Sequence, residues 1–417
     1  MNLQLWISHK LKLTGSEGGS VSTGVVIAVA GVALALVIMV LTLAVVLGFK
    51  HEIADKLTGF DAKVFVEPAY DPAANALEDY ITLSPVIEQA VAGTGVAAPL
   101  SLTLKQPGIL KTDSDFSGVV FVGHDGNHDA AFEKANIIDG VFPDYDDKTT
   151  VNDIVISQSA SDALGLAVGD RLYSCFFVDG KLKTRRHSVA GIYRSDLGEY
   201  DNVVVYASLR GLQKIAGVDS LTGTRLEISE IADDDIDAVS EAVSEALATA
   251  YHSRLTEKYY PVSDIHQTGA IYFNWLGLLD TNVVVIFVLM LCVAAFTLVS
   301  SLFMIILDRI RTIGLLRALG LPRAGLRNIF IYMGMRLVGM GLLIGNVAAI
   351  GLLFVQHKFR LVSLDPEMYY LRYVPVEFSW WGIVAINIGI VVAAWAIMIV
   401  PAMSAARVDP AKTMQFE

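Results

Sequence analysis

Long uncharged runs and one long polar interval divide this chain, and their spacing is its strongest pattern. Gly24–Leu47 holds 24 residues without a charge, Thr281–Leu307 holds 27, Leu337–Gln356 holds 20 and Phe378–Ala406 holds 29. About 20 apolar residues of helix cross a hydrocarbon core, so each run is long enough. The pattern predicts a membrane protein with four transmembrane α-helices in a 1+3 order. Between the first and the second lies an interval of soluble character. Within it, period-two runs predict strands at Lys63–Glu67, Val119–Val122, Leu172–Val178 and His187–Tyr193. Asp179-Gly180 is a hairpin signal between the last pair. Asp153–Gly165 reads as a strand running into a short helix. Ala232–Lys258 carries helical spacing, with Asp233, Asp234 and Asp235 suited to the positive end of a helix dipole. The interval is therefore predicted to be a large α+β domain, without internal repeats or low-complexity segments.

These elements divide the chain as follows. Residues 1–23 form a cytoplasmic amphipathic segment around Trp6 and Lys10, 24–48 the first span, and 49–275 the large outer domain. Residues 281–307 form the second span, 308–327 a cytoplasmic loop and 328–356 the third span. Residues 357–377 form an outer loop, 378–403 the fourth span and 404–417 a cytoplasmic tail. The first run is longer than the apolar core of a signal peptide, and Leu47-Gly48-Phe49-Lys50 is not a small-x-small cleavage site, so an uncleaved anchor is expected.

Charge fixes the orientation. The chain is 54% hydrophobic and 18% charged, with a net charge of -12. From Lys50 to Ile271 there are 18 basic and 35 acidic side chains, a local balance near -17; outside it 13 basic residues meet 8 acidic ones. Short loops rich in Lys and Arg stay cytoplasmic. Lys10 and Lys12, the cluster Arg309, Arg311, Arg317, Arg323 and Arg327, and the tail with Arg407 and Lys412 all belong on that side. The acidic domain then lies outside, and no nucleic-acid partner is expected. Cys175 and Cys292 fall in different compartments, so no intramolecular disulfide is expected.

The loop after the second span carries the most informative local pattern. Ile313, Leu315, Leu316 and Leu319 are expected on one helical face and Arg311 and Arg317 on another, with Gly320 and Pro322 ending the helix. It reads as a docking element for a soluble partner or as an ordinary positive-inside loop, and composition alone leaves both open. Nucleotide-binding, serine-hydrolase, zincin and Cys-x-x-Cys patterns are absent, so no catalytic residue is assigned. Gly123-His124-Asp125-Gly126-Asn127-His128-Asp129 carries metal-type side chains. Two His four apart converge on a helix, whereas the glycines predict a loop, so a polar turn and no metal is the expectation. Asp144–Lys148 fails the calcium-loop template because Lys148 stands where an oxygen ligand is needed. Arg336 lies beside an apolar run, where it either snorkels to the membrane surface or meets a polar contact. Gly341 and Gly345 permit close helix packing, and Pro401 is expected to kink the fourth span or mark its exit.

Arg311-Thr-Ile-Gly-Leu-Leu-Arg-Ala-Leu-Gly320 resembles the cytoplasmic coupling helix of FtsX/MacB-type ABC transporter permeases. Pro401-Ala-Met-Ser-Ala-Ala-Arg-Val-Asp-Pro410 is similar to the family's C-terminal signature, and Ile154–Asp170 and Val189–Tyr193 to its periplasmic core. Phe121-Val-Gly-His-Asp125, Glu199-Tyr200-Asp201 and Leu364–Pro375 look most like the lipoprotein-releasing LolC/LolE branch. The resemblance implies that Arg311, Ile313, Gly314, Leu315, Leu316, Arg317, Ala318, Leu319 and Gly320 couple to a cytoplasmic ABC ATPase. That partner would bind ATP and Mg, leaving this chain without a cofactor of its own. It also implies a second permease subunit (a copy or a paralogue), a lipoprotein substrate, a periplasmic carrier and an inner-membrane location. Val37 and Leu41 with Phe287 and Met290 are the candidates for lining a lateral entry. Two departures stand out: the hairpin at Asp179-Gly180 lacks the longer projecting loop that engages the carrier, and Ala295–Ser301 lacks the branch's Asn. MacB-like export of peptides or small molecules, and FtsX-like signalling to a cell-wall hydrolase, remain as alternatives.

Overall fold

A computed structural model describes residues 23–71, 76–96, 100–125, 127–128, 130–145, 147–228 and 230–406. Residues 1–22 of the expected amphipathic segment 1–23, and the tail beyond residue 406, lie outside them. The chain divides into a helical unit (Met1–His51, Trp275–Ser363, Tyr373–Glu417) and a sheet unit (Glu52–Asn274, Leu364–Arg372).

The helical unit is built on four long apolar helices: α1 Thr23–Phe60, whose last residues belong to the sheet unit, α4 Ala270–Asp308, α6 Arg323–Phe359 and α7 Trp380–Ala406. Each is long and apolar enough to cross a membrane. The helix that carries the expected span of residues 24–48 continues beyond it to Phe60. Lys50, His51 and Glu52 end the apolar run, but the stretch that follows still contains good helix formers. The start of α4 likewise precedes the apolar run by 11 residues. Above the apolar stretch, Lys50 of α1 pairs with Asp280 of α4 at 2.8 Å. The glycine pair on α6 faces α1: a Cβ on Gly341 would lie 2.8 Å from Val32 Cβ, and one on Gly345 would lie 3.0 Å from the Ala33 carbonyl. Small residues here let the two backbones approach. Helix α7 runs through Pro401 to Ala406. Asn346 of α6 and Asn387 of α7 exchange amide hydrogen bonds of 2.8 and 3.1 Å, so both polar groups are paired with each other among apolar neighbours.

The sheet unit holds β1 Val64–Val66, β2 Leu100–Lys111, β3 Phe116–His124, β4 Ile137–Gly140, β5 Asp153–Ser157, β6 Arg171–Val178, β7 Lys181–Tyr193, β8 Val204–Ser208, β9 Arg225–Ile228 and β10 Val262–Asp264. Their order is β10-β1-β9-β2-β3-β8-β5-β7-β4, and β6 pairs with both β7 and β2. Six strands thereby close on themselves around Leu104, Leu110, Phe121, Ile154, Ile156 and Phe176. Closure leaves β10 and β4 as the two end strands of this sheet. The hairpin turns at Asp179 (φ 53°) and Gly180 (φ 71°), both left-handed as a two-residue I′-type loop requires. After β5, Ser157 caps the short helix Gln158–Leu164 by accepting from the Ala160 N–H at 3.0 Å, and Gly165 ends it. Three further helices matter below: α2 Ala131–Ala135, α3 Ile236–His252 and α5 Ile310–Ala318. Asp233–Asp235 forms a short 3-10 turn leading into α3, where the acidic run was expected to open a helix.

Candidate functional site

Helix α5 joins α4 to α6 and has one buried and one exposed side. Ile313 enters the bundle core and Gly314 is buried beside it, whereas Leu315 and Leu319 point outward at 58% and 77% exposure. A four-residue step returns to the same side of a helix and a two-residue step crosses it. The expectation of one apolar face through Ile313, Leu315, Leu316 and Leu319 is corrected accordingly. Ile313 anchors α5, and Leu315 with Leu319 forms its outer edge. Leu316 and Arg317 are half-buried, while Ala318 and Gly320 are exposed. Arg311 falls in the first turn of α5. Gly320 adopts φ 92°, a left-handed conformation that stops the helix before Pro322.

The other sequence candidates lie elsewhere in the same unit. Val37 and Leu41 on α1, and Phe287 and Met290 on α4, are all half-buried against the bundle core. Arg336 is exposed on α6, about 20 Å along the helix from Arg323.

In the sheet unit the segment Leu364–Arg372 is clasped by two cations. Arg372 grips Asp196 with two hydrogen bonds of 2.6 and 2.8 Å. Lys56, on the end of α1, donates to the carbonyls of Ser195 (2.7 Å) and Tyr370 (2.8 Å). Burial lowers the Lys56 pKa, with Asp196 opposing the shift. Asp201 fixes the turn beneath by accepting from the Ser195 and Asp196 N–H groups, and burial pushes its carboxyl up. Phe60 stacks on Tyr200 and meets Phe132 of α2 edge-on, both with centroids 4.8 Å apart. A Cβ on Gly59 would collide with the Phe132 ring at 2.2 Å, so α2 can sit this close only against a glycine.

Beside that aromatic seat lies a buried ionic cluster. Asp61 pairs with Arg225 and with Lys105, and Arg225 also donates to Glu227 at 2.6 Å while lying over the Phe65 ring. Burial alone would raise Asp61, but Arg225 and Lys105 outweigh it and hold the carboxyl at about 2. The ring of His124 stacks on that of His128 with centroids 3.6 Å apart and planes 9° from parallel. Burial holds His124 at about 3, whereas Glu133 raises His128 against its own burial. The polar turn was expected to keep these two rings apart. Instead His124 ends β3, and the turn after it folds His128 back over the strand end. Convergence did not require a helix.

Two family signatures match this architecture. The MacB-like periplasmic core domain matches residues 25–246, and the FtsX-like permease C-terminal domain matches residues 284–410. The chain belongs to the FtsX/MacB-type permeases. It is 26% identical over 413 residues to the lipoprotein-releasing system transmembrane protein LolC of Xylella fastidiosa (strain 9a5c), covering 93% of this chain and 92% of that one. It is 22% identical to LolC of Neisseria meningitidis serogroup B over 100% of both chains. A solved structure, the periplasmic region of MacB from Actinobacillus actinomycetemcomitans, is similar over 51% of this chain and 92% of that chain, at 12% identity and TM-score 0.34. The chain is thus an ABC transporter permease, and residues Arg311–Gly320 occupy α5 and the turn that ends it. The Lys56 clasp and the His124–His128 pair were not legible in the sequence. Lys56 is one lysine among many in an acidic domain, and its partners are carbonyls, which carry no side-chain signal.

Proposed function

We propose that this chain is the permease subunit of an ABC transporter that releases lipoproteins from the inner membrane towards the outer membrane. The observation that carries this reading is the similarity to LolC along essentially the whole chain, outer domain and spans together. In this reading the four apolar helices cross the membrane as one plus three, with both termini cytoplasmic and the acidic sheet unit in the periplasm. Helix α5 docks a separate cytoplasmic ATPase that binds ATP and Mg and performs the hydrolysis, so the permease itself is not a catalyst. A second permease, a copy or a paralogue, completes the cleft.

The acylated substrate enters sideways past Val37 and Leu41 on α1 and Phe287 and Met290 on α4. Each buried CH2 holds a lipid anchor in the bilayer by about 0.8 kcal/mol, so extraction of several acyl chains needs work coupled from ATP. The short hairpin at Asp179-Gly180 leaves recruitment of a periplasmic carrier to the partner permease.

Affinity purification in mild detergent, followed by mass spectrometry, tests the assignment. An ATPase, a permease and acylated lipoproteins are the expected company. An ATPase recovered with a wall hydrolase or its activator, and no lipoprotein, overturns the reading in favour of signalling.

A further inference from the structure

We propose that His124, His128 and Glu227 form a binding site for a divalent transition-metal ion of the zinc class, seated under the end of α1. One ligand atom from each of the three residues lies within 4.8 Å of the other two. Donors about 2 Å from a shared tetrahedral ion stand roughly 3.4 Å apart. The two rings now lie parallel and share no plane, so closing the site requires His124 to rotate out of the stack. Imidazole and carboxylate donors together suit Zn2+ or Co2+ better than Mg2+ or Ca2+, which take oxygen ligands.

The hydrogen bonds around the cluster have the form that metal-binding histidines use. His128 engages Glu133 through Nε2 at 2.8 Å, and its other nitrogen, Nδ1, is buried with no partner. A carboxylate on one ring nitrogen orients the opposite nitrogen towards a metal and raises its basicity. His124 places its Nδ1 3.7 Å from a Glu227 carboxylate oxygen and 3.0 Å from the Thr103 hydroxyl. The second carboxylate oxygen of Glu133 is also buried and unpartnered. Unpaired buried polar atoms are costly, and here both lie on the same ring–carboxylate pair.

Charge and access agree with a cation. An ion binds neutral imidazoles, and in that state the carboxylates of Asp61, Asp125, Glu133 and Glu227 outnumber the cations Lys105 and Arg225 by two. Lys134 and Asp144, which line the neighbouring cavity, cancel. That cavity of about 350 Å³ borders both His124 and His128 and supplies room for a water as the remaining ligand.

A bound ion would join the end of β3, the turn after it and β9. Glu133 on α2 orients His128, and the adjacent Phe132 packs on Gly59 and Phe60. The metal would therefore stiffen the seat of α1 within the sheet unit.

Cobalt titration of the chelator-stripped full-length protein in detergent, with any affinity tag removed, tests the site. One Co2+ per chain is expected, with the intense visible absorption of four-coordinate cobalt, displaced by Zn2+. His128→Gln, which removes the ligand but keeps a polar side chain, is expected to weaken binding at least 100-fold. Glu133→Gln is expected to weaken it 10- to 100-fold through orientation alone. Melting of both stripped variants like the stripped wild type shows that they are folded. Absence of saturable binding overturns the proposal, as does binding that survives His128→Gln unchanged.

Discussion

Asp61 sits one residue past α1, and its carboxylate is worth more to the fold than its position in a turn suggests. Its pKa of about 2 lies below the ordinary 3.8 because Arg225 and Lys105 prefer it charged. A depressed carboxylate stabilises fully above its unfolded pKa and loses that stabilisation as pH falls through the folded value. The shift corresponds to about 2 kcal/mol, present above pH ~4 and lost towards pH ~2. Denaturant unfolding of the sheet unit is expected to show this acid loss in the wild type. Asp61→Asn should be less stable at pH 7 and flatter between pH 5 and 3. Equal acid slopes in the two proteins would remove Asp61 from the account. Arg225 keeps Glu227 as a partner in the variant, whereas Lys105 loses its ion pair with Asp61, which adds to the loss at pH 7.

At the scale of elements, α5 has an anchored side and an outward one. Ile313 is buried in the bundle, whereas Leu315 and Leu319 form an outward pair one turn apart. Leu315→Asp is expected to leave the permease folded while lowering ATPase association by 10-fold or more, since an apolar contact becomes a desolvated charge. Ile313→Asp is expected instead to reduce the amount of folded protein. Pull-down of the ATPase, with detergent-stable yield measured alongside, separates the two effects. ATPase binding unchanged in Leu315→Asp would show that docking uses another surface. The sequence announced this helix and its stop at Gly320, because helix period and a glycine terminator are local signals. It did not announce which leucine faces inward, since that depends on where α4 and α6 place the helix. Strand β2 was also hidden: Gln106-Pro107-Gly108 reads as a break, yet Pro107 sits within the ladder opposite Val120.

On the scale of the whole molecule, the segment Leu364–Arg372 lies between two apolar helices in sequence but belongs to the sheet unit. Lys56 and Arg372 hold it there, and the Tyr370 carbonyl depends on a single ammonium hydrogen bond. Lys56→Met removes the donor to two carbonyls at once, a loss of about 1–3 kcal/mol of local stability. Hydrogen exchange is expected to speed up by 5-fold or more across residues 364–372. Unchanged protection of that segment would leave the clasp without a mechanical role. Short loops between apolar helices look alike in composition, so charge counting carries no information about what this one grips.

By itself the sequence determined the four apolar helices, the α+β character of the interval between the first two, the acidic charge of that interval and the basic helix at Arg311–Gly320. Each is a local quantity: run length, periodicity, net charge or a terminating glycine. The tertiary structure alone decided the closure of six strands through β6, the burial of Ile313 against the exposure of Leu315, and the capture of Leu364–Arg372 by Lys56. It also decided the meeting of His124 and His128 above Glu227. These features join residues far apart in the chain or on opposite sides of a turn, and their energies depend on neighbours that only the folded backbone supplies.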